Sequence, residues 1–334
     1  MRDNVRGFVL AAGLGTRLRP LTDELPKPAW PLFDVPLAAH VLRTLAGARV
    51  REVVVNLHHL PDRLRAALTP WIPGGVTVHW SPEDPILGTG GALTPWRNHL
   101  ARGPFFLCNA DTYQEIDLGE MAAFHQQRHA TATLAVRPLP PGQRGPIEID
   151  GDGRIVRFLG SGVPGTAAGT PCEFTGIHLL EPGVLADLPD RPCCINADVH
   201  APRAARGERL FGYVPPADSF WSDLGTPHRY LAAHHAFLSR GRLPPGTPGH
   251  LVVEDGAAEG GGRVFAPSYL GPGARVAAGA CAGPYAVLGS GVSLEGPTRV
   301  GESVVWAGAK VDGEEVRRAV VSPSGVRLST PPSA

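Results

Sequence analysis

The stretch AAGLGTRLRPLTDELPKP, residues 11–28, gathers Gly13, Gly15, Thr16, Arg17, Arg19 and Lys27 behind one apolar run. Glycine directly after a strand lets backbone amides turn toward an anion and approach it closely. Thr16 adds a hydroxyl and the three cations add charge, an ensemble suited to a polyphosphate. It is neither a Walker A loop nor a GxGxxG fingerprint, because no glycine occupies position 18 and no GKT follows. A tight βα turn without a ligand carries the same short glycine signature. The lysine is more informative. Of 31 basic residues 29 are arginine, and only Lys27 and Lys310 are lysine. Pro26 and Pro28 flank Lys27, fixing φ and restricting the residues before them. Lysine offers a compact charge where arginine offers a wide planar fork. A stiff loop presenting one ammonium suits a crowded phosphorus centre; a solvated surface lysine is the plain alternative.

The whole chain bounds what such a loop can serve. Its 334 residues allow one large domain or two ordinary ones. Formal charge is balanced at zero, which argues against a nucleic-acid partner. No apolar run reaches the roughly eighteen residues that span a bilayer. FVLAAGLG is too short and too glycine-rich for a signal peptide, and no small-residue cleavage site follows it. Five cysteines without zinc-like spacing read as free thiols in a reducing cytosol. The pairs His58-His59 and His234-His235 lack partners at metal-ligand spacing. Trp71, Trp80 and Trp96, without basic residues between them, read as core or pocket wall.

The elements that must hold the loop are legible. Residues 7–12 read as a buried strand, 37–48 as a helix, 53–57 as a strand and 61–68 as a helix opened by proline. Strands follow at 76–80, 105–108, 132–137 and 155–158, with a turn at 150–153 and a last helix at 228–239. Strands separated by helices imply an α/β, Rossmann-like domain with a mixed, mostly parallel sheet. This gives an α/β domain over 1–240, a linker at 241–249 (within RGRLPPGTPG) and a second domain over 250–334. In the second domain Val264, Leu270, Val276, Ala282, Leu288, Leu294 and Val300 fall every six residues, and Trp306 continues the count. Ala274, Ala280, Ala286, Val292, Thr298 and Val304 repeat four places on. A period of six matches neither a strand nor a helix, and reads as a parallel β-helix. About eight hexapeptides make between two and three coils, so the solenoid is expected to pack on the first domain or on a second subunit.

LAAGLGTRLRPLTDELPKP resembles the signature GxGTRLxPLTxxxPKP of the sugar-1-phosphate nucleotidylyltransferases. Further stretches resemble that family in order: EDPILGTGGAL at 83–93, FFLCNAD at 105–111, GPIEIDGDGRIVRF at 145–158, EFTGIHLLEP at 173–182 and WSDLGTP at 221–227. The resemblance covers about 1–240, and many members carry a left-handed β-helix after it. It implies transfer of a nucleotidyl group from a nucleoside triphosphate to a sugar 1-phosphate, releasing diphosphate, with Mg²⁺ held by Asp111 and Asp223. It implies that amides near Gly13, Gly15 and Thr16, with Arg17, hold the β- and γ-phosphates and that Lys27 meets the α-phosphate. Leu10, Ala12, Gly88 and Gly91 would frame the base, and Asn109 would approach the nucleotide or sugar. Gly145, Glu173 and Thr175 would face the sugar. The nearest activity is guanylyl transfer to mannose 1-phosphate. Uridylyl transfer to an amino-sugar phosphate comes second, and a non-catalytic sugar-nucleotide-binding subunit is the competing class. Two departures stand out. Ala110 replaces the glycine before the metal aspartate. The Glu-Lys-Pro whose lysine holds the sugar phosphate is absent, with Ser161 near that slot; Arg157 or Arg144 are the substitutes.

Overall fold

Arg6–Leu10, rich in buried apolar side chains and too short for a helix, forms the central strand of a nine-stranded sheet. A computed structural model describes residues 5–330. In chain order the sheet strands are β1 (Arg6–Leu10), β2 (Glu52–Leu57), β3 (Thr77–Pro82), β4 (Phe105–Asn109), β5 (Ala132–Pro138), β6 (Ile147–Ile149), β7 (Ile155–Phe158), β8 (Thr170–Leu180) and β9 (Leu210–Tyr213). The order β7-β6-β8-β4-β1-β2-β3 carries the parallel strands β4, β1, β2 and β3 as one block. The long β8 runs antiparallel to β4, β5 and β6, and β9 joins β5 in parallel. The mixed sheet expected from the sequence is therefore present. Near-continuous apolar runs in β1, β2 and β4 reflect burial on both faces. Phe8, Val54, Phe105, Leu107 and Leu134 are among the residues of this core.

Contacts divide the chain into two compact units. One unit takes the described residues through Gly13 and Ala38–Trp221, and holds the nine-stranded sheet. The other takes Leu14–Leu37 and the chain from Ser222 onward. The proline-lysine-proline stretch thus belongs to the unit that contains the C-terminal coils.

Those coils form a parallel β-helix. Val264, Ala282, Val300 and Val316 stack in register on one face, and Val276, Leu294 and Val311 on another. On the third face Leu270 pairs with Leu288, and Leu288 with Val305. Here the structure corrects the six-residue count. Val305, not Trp306, takes the core position, because the side after Val300 is one residue short. Ser303 is correspondingly drawn into the buried layer, its Oγ 2.7 Å from the Gly301 carbonyl and accepting from Ala319 N at 3.1 Å. Successive residues of a strand point to opposite faces. Trp306 therefore leaves the coil interior, yet is only 4% exposed. The outward residues Tyr269, Val287, Val304 and Val320 of that face are also buried. Helix Pro227–Ser239 packs against this face, and Phe33 meets Tyr269 edge-on at 5.0 Å.

Among the described residues, His178, His200 and His234 are wholly buried. His178 on β8 and His200, in a π-helical turn (Ile195–His200), stack with Nδ1 and Nε2 3.1 Å apart. In the second unit His234 accepts from Phe33 N at 3.0 Å. Burial holds His178 well below its ordinary value and pushes His200 and His234 down to about 3. Each stays neutral when folded but takes a proton when unfolded. The stability it contributes is complete above the unfolded value near 6.5 and is lost as pH falls below it. Between pH 7.5 and 5.5 His200 and His234 are each expected to remove about 1.4 kcal/mol, and His178 acts in the same direction. Denaturant titrations at the two pH values check this; His200→Gln should flatten the dependence.

Candidate active site

The carboxyl ends of the parallel strands gather one set of residues. Leu10 lies in register with Asn109, and Ala110 N donates to the Leu10 carbonyl at 3.1 Å, so Asp111 leaves β4 beside the end of β1. Ligands of open α/β sheets bind at this edge. Behind it lies a relay not foreseen from the sequence. Ala11 N and Ala12 N donate to Asn56 Oδ1 at 2.5 and 3.2 Å. Asn56 Nδ2 donates to Glu83 Oε1 at 2.7 Å, and Leu87 N to Glu83 Oε2 at 2.9 Å. Asn56 and Glu83 are both buried, so their polar atoms require these partners. The relay joins the glycine loop after β1 to the loop at 84–91. The signal was present: an asparagine inside the apolar run VVVNL. Glu83→Gln replaces one carboxylate acceptor with a donor. If this edge takes the nucleotide that the resemblance implies, KM for it is expected to rise about tenfold, through a weakened charge-assisted bond, with a smaller change in kcat. Steady-state kinetics checks the split.

The second loop is fastened from its other side. Gly88 has φ +77°, and a Cβ there would lie 2.5 Å from the Cys193 carbonyl oxygen, so only glycine fits. Gly90 N donates to that carbonyl at 2.9 Å, and Cys193 N donates to the Leu87 carbonyl at 3.0 Å. Ile195 N donates to Thr89 Oγ1 at 3.0 Å. Asp198 braces the clasp by accepting from Arg191 at 2.8 Å and from Cys194 N at 2.7 Å. Gly88 and Gly91 thus sit in a loop whose shape is set by residues 191–195, which no motif had marked.

The sugar-side candidates lie along β8 and its neighbours. Gly145 precedes β6, and Glu173 stands opposite Arg137 on β5. Thr175 Oγ1 lies 3.0 Å from both Gln114 Oε1 and the Ala135 carbonyl. The Thr175 carbonyl accepts from Trp221 Nε1 at 2.9 Å. Gln114, Glu115, Arg137, Thr175, Phe220 and Trp221 line a cleft of about 380 Å³. The Arg137 guanidinium stands 5.7 Å from the Trp221 ring centroid. Arg157 is engaged elsewhere: Nε is 3.4 Å from Glu148 Oε2, and a terminal nitrogen donates to the Thr166 carbonyl at 3.2 Å. Arg144 is exposed on its loop.

The second unit brings together the charged residues of the signature. Gly15, at φ +61°, precedes the 3-10 turn Thr16–Leu18, and its carbonyl accepts from Leu18 N at 2.9 Å. Left-handed backbone there favours glycine. Pro26 and Pro28 frame a second turn, Lys27–Ala29. Lys27 is only 6% exposed, and its Nζ lies 4.0 Å from Asp223 Oδ1. Arg229 pairs with the other oxygen of Asp223. Gly225 packs beside both Asp223 and the guanidinium of Arg17. One carboxylate therefore stands among three cations, two of them in the signature loop. The surface-lysine alternative for Lys27 does not hold.

Residues 6–240 match the Nucleotidyl transferase family, and the chain belongs to it. It is an enzyme of the nucleotidyltransferase class. It is 30% identical over 317 residues to a mannose-1-phosphate guanylyltransferase of Mycobacterium tuberculosis, covering 92% of this chain and 81% of the relative. It is 31% identical over 281 residues to a probable mannose-1-phosphate guanylyltransferase 2 of Arabidopsis thaliana, covering 79% and 76%. Among solved structures, HddC from Yersinia pseudotuberculosis superposes with a TM-score of 0.57 at 23% identity, covering 70% of this chain and 99% of that one. At that identity the superposition speaks to fold alone.

Proposed function

We propose that this chain transfers a nucleotidyl group from a nucleoside triphosphate to a sugar 1-phosphate, releasing diphosphate, with GTP and mannose 1-phosphate as the substrates. The observation that carries the proposal is Lys27, buried in a proline-framed turn with Asp223 and alongside Arg17. The guanylyltransferase relatives, matched over most of their length, favour the particular pair of substrates. The sugar phosphate oxygen attacks the α-phosphorus in line. It is already ionised at neutral pH, so no side-chain base is needed. Catalysis is positioning and neutralisation of charge between two anions. Amides at Gly13, Gly15 and Thr16 with Arg17 hold the β- and γ-phosphates, and Lys27 answers charge that builds on the α-phosphate. Leu10, Ala12, Gly88 and Gly91 frame the base, with Asn109 nearby. Gly145, Glu173 and Thr175 orient the sugar.

Among the described residues no three His, Cys, Asp or Glu cluster as an all-protein metal cage. Mg²⁺ commonly takes one or two carboxylates and completes its shell with water and substrate phosphates. The hard carboxylate oxygens of Asp111 and Asp223 suit that habit, and we assign them as the ligands. When bound, the ion would neutralise phosphate charge. No helix among the described residues is long and apolar enough to cross a membrane. The five free cysteines fit a cytoplasmic setting, and the β-helix offers a surface for self-association. Diphosphate release across four nucleoside triphosphates and a panel of sugar phosphates tests the proposal. GTP with mannose 1-phosphate should be the best pair. Preference for UTP with an amino-sugar phosphate would reassign the substrates, and nucleotide binding without turnover on any pair would overturn the catalytic role.

A further inference from the structure

The loop that carries Lys27 is built around Trp30. Trp30 N donates to the Lys27 carbonyl at 2.9 Å, and its indole Nε1 donates to the Leu25 carbonyl at 3.0 Å. The two bonds close the chain around Lys27 from either side. Trp30 itself is fully buried, edge-on to Tyr230 and to Trp306, each at 5.1 Å between ring centroids. Trp306 Nε1 donates to Tyr230 Oη at 3.1 Å, and Tyr230 Oη donates to the Pro31 carbonyl. Four residues beyond Trp30, Asp34 is held by two coils of the β-helix. Its Oδ2 accepts from Tyr269 Oη at 2.7 Å and its Oδ1 from Ser290 N at 2.9 Å. Ser324, near the last coil, donates to Glu24 ahead of the lysine. The solenoid therefore holds the lysine loop on both sides of Lys27, at Glu24 before it and at Trp30 and Asp34 after it.

Trp306 can do this only because the coil is irregular. A sixth residue after Val300 would keep position 306 in the core. The five-residue side puts Val305 there and turns the indole out onto Trp30. We propose that this register slip is a positioning device: Trp306 and Tyr269 of the β-helix act as positioning residues for nucleotidyl transfer, holding Lys27 at the reacting phosphate through Trp30 and Asp34. The proposal rests on the assignment of Lys27 to the α-phosphate.

The chain's two lysines supply the test. In the full-length protein, acylation of Lys27 by an N-hydroxysuccinimide ester is followed by mass spectrometry, with exposed Lys310 as internal reference. In the wild type Lys27 should react far more slowly than Lys310. Trp306→Ala should raise the Lys27 rate by about fivefold or more through local opening of the loop, with Lys310 unchanged. Asp34→Asn should do the same from the other anchor. Trp306→Phe, which keeps an edge contact and loses only the bond to Tyr230, should lie between. In the same variants kcat should fall by about tenfold or more, since small misplacement of a catalytic group costs rate, while KM for the sugar phosphate moves less. Unchanged Lys27 labelling in folded Trp306→Ala and Asp34→Asn proteins would overturn the proposal. Faster labelling with undiminished kcat would instead overturn the role given to Lys27.

Discussion

Asp223→Asn is expected to lower kcat by about 10³ at saturating Mg²⁺, because it removes the proposed metal ligand and a fixed negative charge at once. The second loss is specific to this site. Asp223 compensates Lys27 at 4.0 Å and Arg229 through its other oxygen. An amide leaves both cations without that charge, and Lys27 is buried. Removing one of the charges that compensate a buried ion is destabilising, so the melting temperature should fall as well. Turnover measured well below the lowered transition separates the two effects. Asp111→Asn should give a similar loss of rate. Activity within a few-fold of wild type in either variant would refute the metal assignment.

Lys27→Arg is expected to cost about 10²–10³ in kcat, although charge is retained. The turn Lys27–Ala29 is closed by Trp30 at both its backbone and its indole, and Lys27 is buried within it. A guanidinium is broader and planar and would have to displace the turn or the Asp223 contact. Lys27→Ala, which relieves crowding but removes charge, should be impaired at least as severely. Full activity in Lys27→Arg would mean that charge alone, not the compact geometry, is required.

The sequence showed the fold class because β1, β2 and β4 are long apolar runs and because the hexapeptides repeat without interruption from Val264 to Val300. It failed at Trp306 for a physical reason. A one-residue deletion moves the core position to Val305, and an aromatic residue in step with the count looks like a core residue. The glycine loop proposed to hold phosphate was legible through local chemistry, namely glycine, cations and a proline-framed lysine. Its pairing with Asp223 was not, since nearly two hundred residues intervene and only the family resemblance linked them. Asn56 and Glu83 escaped notice because a polar residue in a buried strand declares its partner only in three dimensions. The clasp at 191–195 left no motif at all, as it works through backbone atoms of Cys193. Arg157, a candidate for the sugar phosphate, lies 3.4 Å from Glu148, and Arg137 lines the cleft beside Thr175 and Trp221.

The grip of the β-helix on residues 14–37 has a consequence for how the enzyme is made. Asp34 waits for Ser290, 256 residues later, and Glu24 for Ser324, 300 residues later. Chains emerge from the ribosome N-terminus first, and such distant pairings form late. The nascent protein will have exposed its whole family-matched portion before the anchors of the lysine loop exist. On the role proposed for Lys27, full activity is expected only once the final coil has formed, and a chain ending before Ser290 should turn over more slowly than the whole protein.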